Sequence, residues 1–312
     1  MTATITFYDG YWYCYANATA MLLGAHGEHI SPRQIEVLSG VGLGAFIAED
    51  GLPFFSGRAG APDRGITQAL ATLGFAFTER VSEAPDPAPF DWLADALRTS
   101  PVVVGPLDMR FLAYNPGRPT WPGVDHYVLV NKVEGDSVLL YDPAGFAEVF
   151  LSKAALADAW RADAIAYKRG HFRAWSHPRR IATPSSAAIT SAASHHFKAL
   201  YAEASADAAA GHHLIDEHAI AWLADRTQPD ELTPAQTGHL LNFAVPLGVK
   251  RALDFASFFE TANPSLAQVK RQQAGLFGRC QTHLTQRDHP AAATVLRQLA
   301  DLERQIRNLV IG

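Results

Sequence analysis

Hydrophobic spacing changes character along the chain. Up to about residue 173 it switches repeatedly between helical and strand periods; from about residue 186 it holds a helical period throughout. In the first part, residues 15–25 place Ala16, Ala20 and Leu23 on an apolar stripe and predict a helix. "SPRQIEVLSG" (31–40) predicts a second helix, with Ser31 as N-cap, Pro32 at the first helical position and Gly40 past the end. "GITQALATLG" (65–74), closed by Gly74, and "FDWLADALRTS" (90–100) predict two more, and "LSKAALADAW" (151–160) another. "PVVVGPL" (101–107), "DHYVLVNKV" (125–133) and "SVLLYDP" (137–143) are β-branched and apolar and predict strands. "EGD" (134–136) joins the last two as a tight antiparallel hairpin. Helices followed by an antiparallel sheet make an α+β domain.

"SHPRRIATPSS" (176–186) has two prolines and no period, and reads as a linker whose short basic run is a solvated turn. It divides the chain into an expected first domain, residues 1–175, and a helical second domain, residues 185–312. In the second, Val295, Leu299, Leu302, Ile306 and Leu309 recur at spacings of three and four and predict one buried stripe. Leu266, Val269, Leu276, Phe277, Cys280 and Leu284 form another, which makes Cys280 a packing residue.

Composition narrows the class. The chain has 312 residues, 48% hydrophobic and 18% charged, with a net charge of -5, as a globular protein with a substantial core has. That charge argues against nucleic acid as a partner. No stretch has the makeup of a signal peptide or the length of a membrane span, so the expected compartment is the cytoplasm, with no membrane partner. Two cysteines, Cys14 and Cys280, form no disulfide framework and are expected to be free thiols. A homo-oligomer is left open.

Cys14 lies in "GYWYCYANATAMLLG" (10–24), between an aromatic loop and a helix. A helix N-terminus stabilises a thiolate through its dipole and free N–H groups, and a neighbouring imidazolium does so by charge. The same N–H groups can receive an oxyanion. His126 begins one predicted strand and Asp142 ends its hairpin partner; they are sixteen positions apart about the turn, nearly opposite in register. An Asp beside a His orients the ring and fixes its tautomer. Cys14, His126 and Asp142 are therefore a candidate nucleophile, base and orienter.

The blocks "CYANATAMLL", "GVGLGAF", "GPLDMRFLAYNP", "DHYVLV" and "YDPAGF", in that order over residues 7–170, resemble the N-terminal domain of the butirosin biosynthesis protein H family. That family is similar in its core to papain-like cysteine proteases and to bacterial double-glycine leader peptidases, and many members carry a helical extension. The resemblance implies a papain-like fold with Cys14 as nucleophile, His126 as general base and acid, and Asp142 as orienting carboxylate. It implies a cysteine-dependent acyltransferase or amide-forming enzyme of specialised metabolism. An acyl or aminoacyl group would pass from a carrier protein's phosphopantetheine thioester through a Cys14 acyl-enzyme to an amine or hydroxyl on a small molecule. No cofactor of the enzyme's own is implied. A helical domain closing over the aromatic entrance (7–15) would keep water out.

Papain-like proteases usually place a Gln about six residues before the Cys. Position 8 here is Tyr, and no Gln precedes Gln34. The oxyanion donor is then sought in the Cys14 N–H, Asn17, Tyr8 or Tyr11. Asp108 and Tyr114 are expected to shape an acceptor pocket, with Asp108 paired to an amine, and Phe111 and Trp121 to line it. A cysteine peptidase, hydrolase or thioesterase of the double-glycine leader peptidase type is the alternative, and the departure at position 8 weighs against a peptidase more than against thiol acyl chemistry as such. A non-catalytic binding module is the third reading. "GVGLGAF" (40–46) lacks the Gly-Lys-Ser/Thr ending of a phosphate loop and reads as a turn or pocket loop. "GHHLIDEH" (211–218), with His212, His213, Asp216, Glu217 and His218, reads as a solvated helix face, as does "SHH" (194–196), rather than as a metal site.

Overall fold

The computed structural model describes residues 4–120, 122–211 and 213–312, with the side chain of Tyr11 left aside. In chain order its elements begin with α1 (Cys14–Ala25), α2 (Pro32–Ser39), β1 (Phe46–Ile47), β2 (Pro53–Phe54), α3 (Pro62–Thr72), β3 (Phe75–Ser82) and α4 (Phe90–Ala96). They continue with β4 (Val102–Asp108), β5 (Asp125–Glu134), β6 (Ser137–Asp142), β7 (Phe146–Ser152), α5 (Lys153–Arg161) and β8 (His171–Arg180). Helices follow to the end: α6 (Ser186–Gly211), α7 (Asp216–Thr227), α8 (Pro234–His239), α9 (Val245–Phe259), α10 (Pro264–Thr285) and α11 (His289–Ile311). A π-helical turn, Leu240–Ala244, joins α8 to α9.

Two compact units result. One is Met1–Ile35 with Pro62–Thr183; the other is Glu36–Ala61 with Pro184–Gly312. Residues 36–61 thus group with the helices, where the sequence reading kept them in the first domain. Buried Arg251 explains this: its guanidinium meets Glu36 at 2.8 Å and donates to the Phe55 carbonyl at 3.2 Å.

The first unit is mixed α+β. Its six-stranded sheet runs β3-β8-β4-β5-β6-β7, antiparallel throughout. Three of these strands escaped the sequence reading. The basic run taken for a linker is the end of β8, paired with β3 from Phe75–Arg180 to Thr78–Ser176. His177 and Pro178 oppose the single residue Phe77 in a bulge, which is how a strand accommodates proline. Edge strand β7 is mostly exposed, and so lacks the apolar signal of a strand.

One face of the sheet buries Val102, Val104, Val128, Val130, Val138 and Leu140 in a cluster with Leu93 of α4 and Leu156 and Trp160 of α5. Helix α1 packs on β5. Its first ten residues, Cys14 to Leu23, are all buried, the polar Asn17 and Thr19 included, so it is covered all round rather than on one stripe. Tyr15 of α1 meets Tyr127 of β5 edge-on at 6.0 Å. That ring needs Gly105 on β4, where an added Cβ would stand 2.3 Å from it.

The second unit is helical apart from the β1–β2 pair, in which the rings of Phe46 and Phe54 stack at 5.0 Å. Its core joins α7, α10 and α11 through Leu223, Leu276, Cys280, Leu296 and Leu299. The last turn of the predicted α11 stripe shifts by one: Val310 is buried and Leu309 is 37% exposed, because the step from Ile306 is four residues. Glu303 accepts from Tyr201 Oη at 2.8 Å and Gln273 Nε2 at 3.1 Å, and Gln273 in turn accepts from Lys270 Nζ at 3.0 Å.

Candidate active site

Cys14 is the first residue of α1, preceded by a 3-10 turn, Tyr11–Tyr13. No side chain caps that helix start and no acidic residue lies in its first turn, so its positive end is not neutralised locally. The thiol is 7% exposed and unbridged. His126 is the second residue of β5, and Asp142 ends β6. The three groups meet at the ends of their elements.

The register corrects one detail. Leu129 pairs with Tyr141, so continuing the ladder sets Asp142 against Val128, two positions from His126. Both polar residues continue the face of Val128, Val130, Val138 and Leu140, and diagonal neighbours on one face are within reach of a long side chain. His126 Nε2 stands 2.5 Å from Asp142 Oδ1. A carboxylate only accepts, so Nε2 carries the proton and Nδ1 is the nitrogen left for the sulfur.

Electrostatics fit that pairing. Burial alone drives the His126 pKa down. The Asp142 carboxylate, and the charge of and hydrogen bond to the Cys14 sulfur, outweigh it and hold the ring well above its ordinary value. Burial likewise favours a protonated Asp142. The His126 cation, its N–H, the Ala144 N–H and the Tyr114 hydroxyl together keep the carboxyl below the usual range. Ala144 N donates to Oδ1 at 2.7 Å and Tyr114 Oη to Oδ2 at 2.7 Å.

The loop that carries Cys14 is tied to the turn that carries Asp142. Gly10 N donates to the Pro143 carbonyl at 2.8 Å, and Asn17 Nδ2 donates to the Gly10 carbonyl at 2.9 Å. An added Cβ at Gly10 would lie 2.7 Å from Asn17 Nδ2. One amide proton of Asn17, considered as an oxyanion donor, is therefore spent on the loop. Tyr8 is half-buried, and the Tyr11 side chain lies outside what is described. The Cys14 N–H sits at the helix start itself.

Three of the four residues expected to line a pocket, Tyr114, Asp108 and Phe111, have partners within the described structure. Tyr114 holds the carboxylate. Asp108 is buried, and its Oδ1 accepts from Arg110 N at 3.0 Å and Gly123 N at 3.2 Å, closing the β4–β5 connection on itself; its Oδ2 lies 3.5 Å from the Arg110 guanidinium. Phe111 packs against the sheet cluster, with Arg110 over its ring at 4.6 Å. Trp121 lies outside the described residues. A network beside the triad went unread in the sequence: Tyr167 Oη donates to Asp125 at 2.6 Å and meets Tyr127 Oη at 3.1 Å. Desolvation pushes the Asp125 carboxyl above its usual range. Tyr167 comes from a loop with no periodicity to mark it.

His213 precedes α7, which begins at Asp216, so His213 and Glu217 do not share a helix turn; Glu217 pairs with Arg307 at 2.7 Å. His212 lies outside the described residues, and His196 meets the Ser39 carbonyl at 3.1 Å. Among the described residues no group of three or more His, Cys, Asp or Glu is arranged to hold a metal ion, and no helix is long and apolar enough to cross a membrane.

Comparison with known proteins gives three findings. Residues 210–311 match the family model of the YobF C-terminal domain. The chain is 36% identical over 296 residues to a Bacillus subtilis (strain 168) protein named "Uncharacterized protein YobF", covering 95% of this chain and 94% of that one. Among solved structures it is similar to the peptidase domain of Streptococcus ComA, a bi-functional ABC transporter involved in a quorum sensing pathway. There the identity is 16% and the TM-score 0.34, over 57% of this chain and 96% of that one. These comparisons lend no support to the butirosin biosynthesis protein H resemblance.

Proposed function

We propose that this chain, which belongs to the family of the Bacillus subtilis protein YobF, is a cysteine-dependent acyl-transfer enzyme with Cys14 as nucleophile. The observation that carries the reading is the placement of His126, whose Nε2 is 2.5 Å from the buried Asp142 carboxylate and whose ring feels the Cys14 sulfur at the start of α1. A buried Asp–His pair with a thiol on the remaining nitrogen is a nucleophile with its base and orienter.

The chemistry follows from those positions. The Cys14 sulfur attacks the carbonyl of an acyl thioester. The tetrahedral oxyanion is held by N–H groups at the start of α1. Collapse breaks the donor's C–S bond, and the leaving thiolate takes the His126 proton. One thioester has replaced another, so this half is nearly isoenergetic and depends on positioning. In the second half neutral His126 removes a proton from an amine or hydroxyl, that atom bonds the acyl carbon, and the Cys14 C–S bond breaks. With water as acceptor the outcome is hydrolysis. A carrier-protein thioester as donor, a small-molecule amine as acceptor and a place in natural-product biosynthesis complete the proposal.

Intact-mass spectrometry after incubation with an acyl N-acetylcysteamine thioester tests it. The expected result is a single acyl adduct on Cys14, absent from Cys14→Ala, that disappears when an amine is added. Absence of an adduct, together with alkylation by iodoacetamide no faster than that of a free cysteine, overturns it in favour of a binding module. Rapid loss of the adduct to water, or cleavage of peptides, redirects it to a hydrolase.

A further inference from the structure

The acid member of the triad is held by more than its histidine. Asp142 is fully buried, and its two oxygens are served separately. Oδ1 takes the His126 and Ala144 N–H groups at 2.5 and 2.7 Å. Oδ2 takes the Tyr114 hydroxyl at 2.7 Å, and Tyr114 is its donor among the described residues. A buried carboxylate oxygen left without a donor is costly, and neutralising the carboxylate relieves that cost.

We propose that Tyr114 is the positioning residue of this site: its hydroxyl keeps Asp142 ionised and fixed against His126, and thereby sustains the imidazolium–sulfur pair. The proposal rests on the reading of Cys14, His126 and Asp142 given above. The surrounding structure is built to hold that hydroxyl in place. The Tyr114 ring meets Phe146 edge-on at 5.6 Å, and Phe146 is the register partner of Asp142 across β6 and β7. The loop that carries Tyr114 is closed by Asp108, whose Oδ1 gathers N–H groups from both of its ends, Arg110 and Gly123. Burial, with Asp142 alongside, raises the Tyr114 pKa well above the ordinary phenol value, so the hydroxyl stays a donor across the working range. Asp108 and Tyr114 thus act on the chemistry through Asp142 and not by touching an acceptor.

The test reads the thiol without needing the substrate. Iodoacetamide alkylation of Cys14 is followed against pH in the full chain, by mass, for the wild type, Y114F, F146L and protein carrying 3-fluorotyrosine at position 114. Wild type is expected to react faster than a free cysteine at acid to neutral pH; if it does not, the triad reading fails and this inference falls with it. Given a fast wild type, Y114F leaves Oδ2 unpartnered, so Asp142 protonates at higher pH and His126 loses its charge partner. The acid edge of the rate is expected to move up by about one pH unit, so that the rate on the acid limb falls about tenfold, the effect of one hydrogen bond to a charged group. The fluorinated phenol is a stronger donor of the same shape and is expected to move the edge the opposite way. This arm decides the matter if Y114F does not fold. F146L, which loosens the ring's packing but spares the hydroxyl, is expected to lower the melting temperature and to move the edge by much less than Y114F does. An edge unmoved in both Tyr114 proteins, or moved as far by F146L, overturns the proposal.

Discussion

The two cysteines are both buried, and their surroundings differ in kind. Cys280 is fully enclosed in the apolar core of the helical unit, where desolvation pushes its thiol up to about 12. Cys14 is nearly as enclosed, yet it starts a helix and stands beside an imidazole whose basicity a buried carboxylate raises. Burial alone therefore does not set the surroundings of a thiol. What separates the two cysteines is whether the low dielectric around the sulfur contains an oriented opposite charge. The units repeat the lesson on a larger scale. Each buries a polar network, but that around Glu303 links Tyr201, Gln273 and Lys270 with no thiol among its members.

The largest expected effect breaks the comparison at its chemical end. Removing the base with His126→Ala is expected to slow acyl transfer by about 10²- to 10⁴-fold. Stopped-flow or mass-detected single turnover reads this directly, and a variant as fast as wild type denies His126 its role. Next comes selectivity between the two thiols. In the native protein Cys14 is expected to react with iodoacetamide at least about a hundredfold faster than Cys280, with Cys280 labelled only after unfolding. Peptide mapping of a brief labelling pulse checks this, and equal labelling would remove the distinction.

A third prediction concerns the helical unit alone. Buried Asp216 has its carboxyl pushed to about 7, first by desolvation and then by Glu303. The folded form of this acid holds its proton more tightly than the unfolded form does. Its contribution to stability is therefore present at low pH and is lost as pH rises from about 4 through about 7. Asp216→Asn is expected to flatten that fall, so that its melting temperature gains on wild type by a few degrees at neutral pH. Melting curves at several pH values measure it; parallel curves for the two proteins would contradict it.

The smallest effect tests how far the loop supports the thiol. Asn17→Ala removes one bond to the Gly10 carbonyl and is expected to cost about 1 kcal/mol of stability, with at most a fivefold fall in Cys14 alkylation. A much larger fall would make Asn17 a participant in the chemistry.

The sequence showed what local rules govern. Helices with caps were readable from their period, and strands covered on both faces from their continuous β-branched, apolar runs. Strand β8 was hidden by Pro178, which its bulge accommodates, and β7 by its exposed edge. The closeness of His126 and Asp142 was legible because a hairpin turns sequence separation into proximity, although a diagonal replaced the expected near-opposition. The roles of Tyr114 and Asp108 were not. A hydroxyl delivered by an irregular loop to a carboxylate twenty-eight residues away obeys no period, and only three-dimensional closure shows which oxygen it meets.

The bond from Gly10 to the Pro143 carbonyl has a consequence for protein damage. It stitches the segment before the sulfur to the residue after the acid, so a fluctuation that lifts one peels away the other. Opening that corner to admit a peroxide molecule breaks this bond, so oxidation of the thiol and loosening of the turn that carries Asp142 go together.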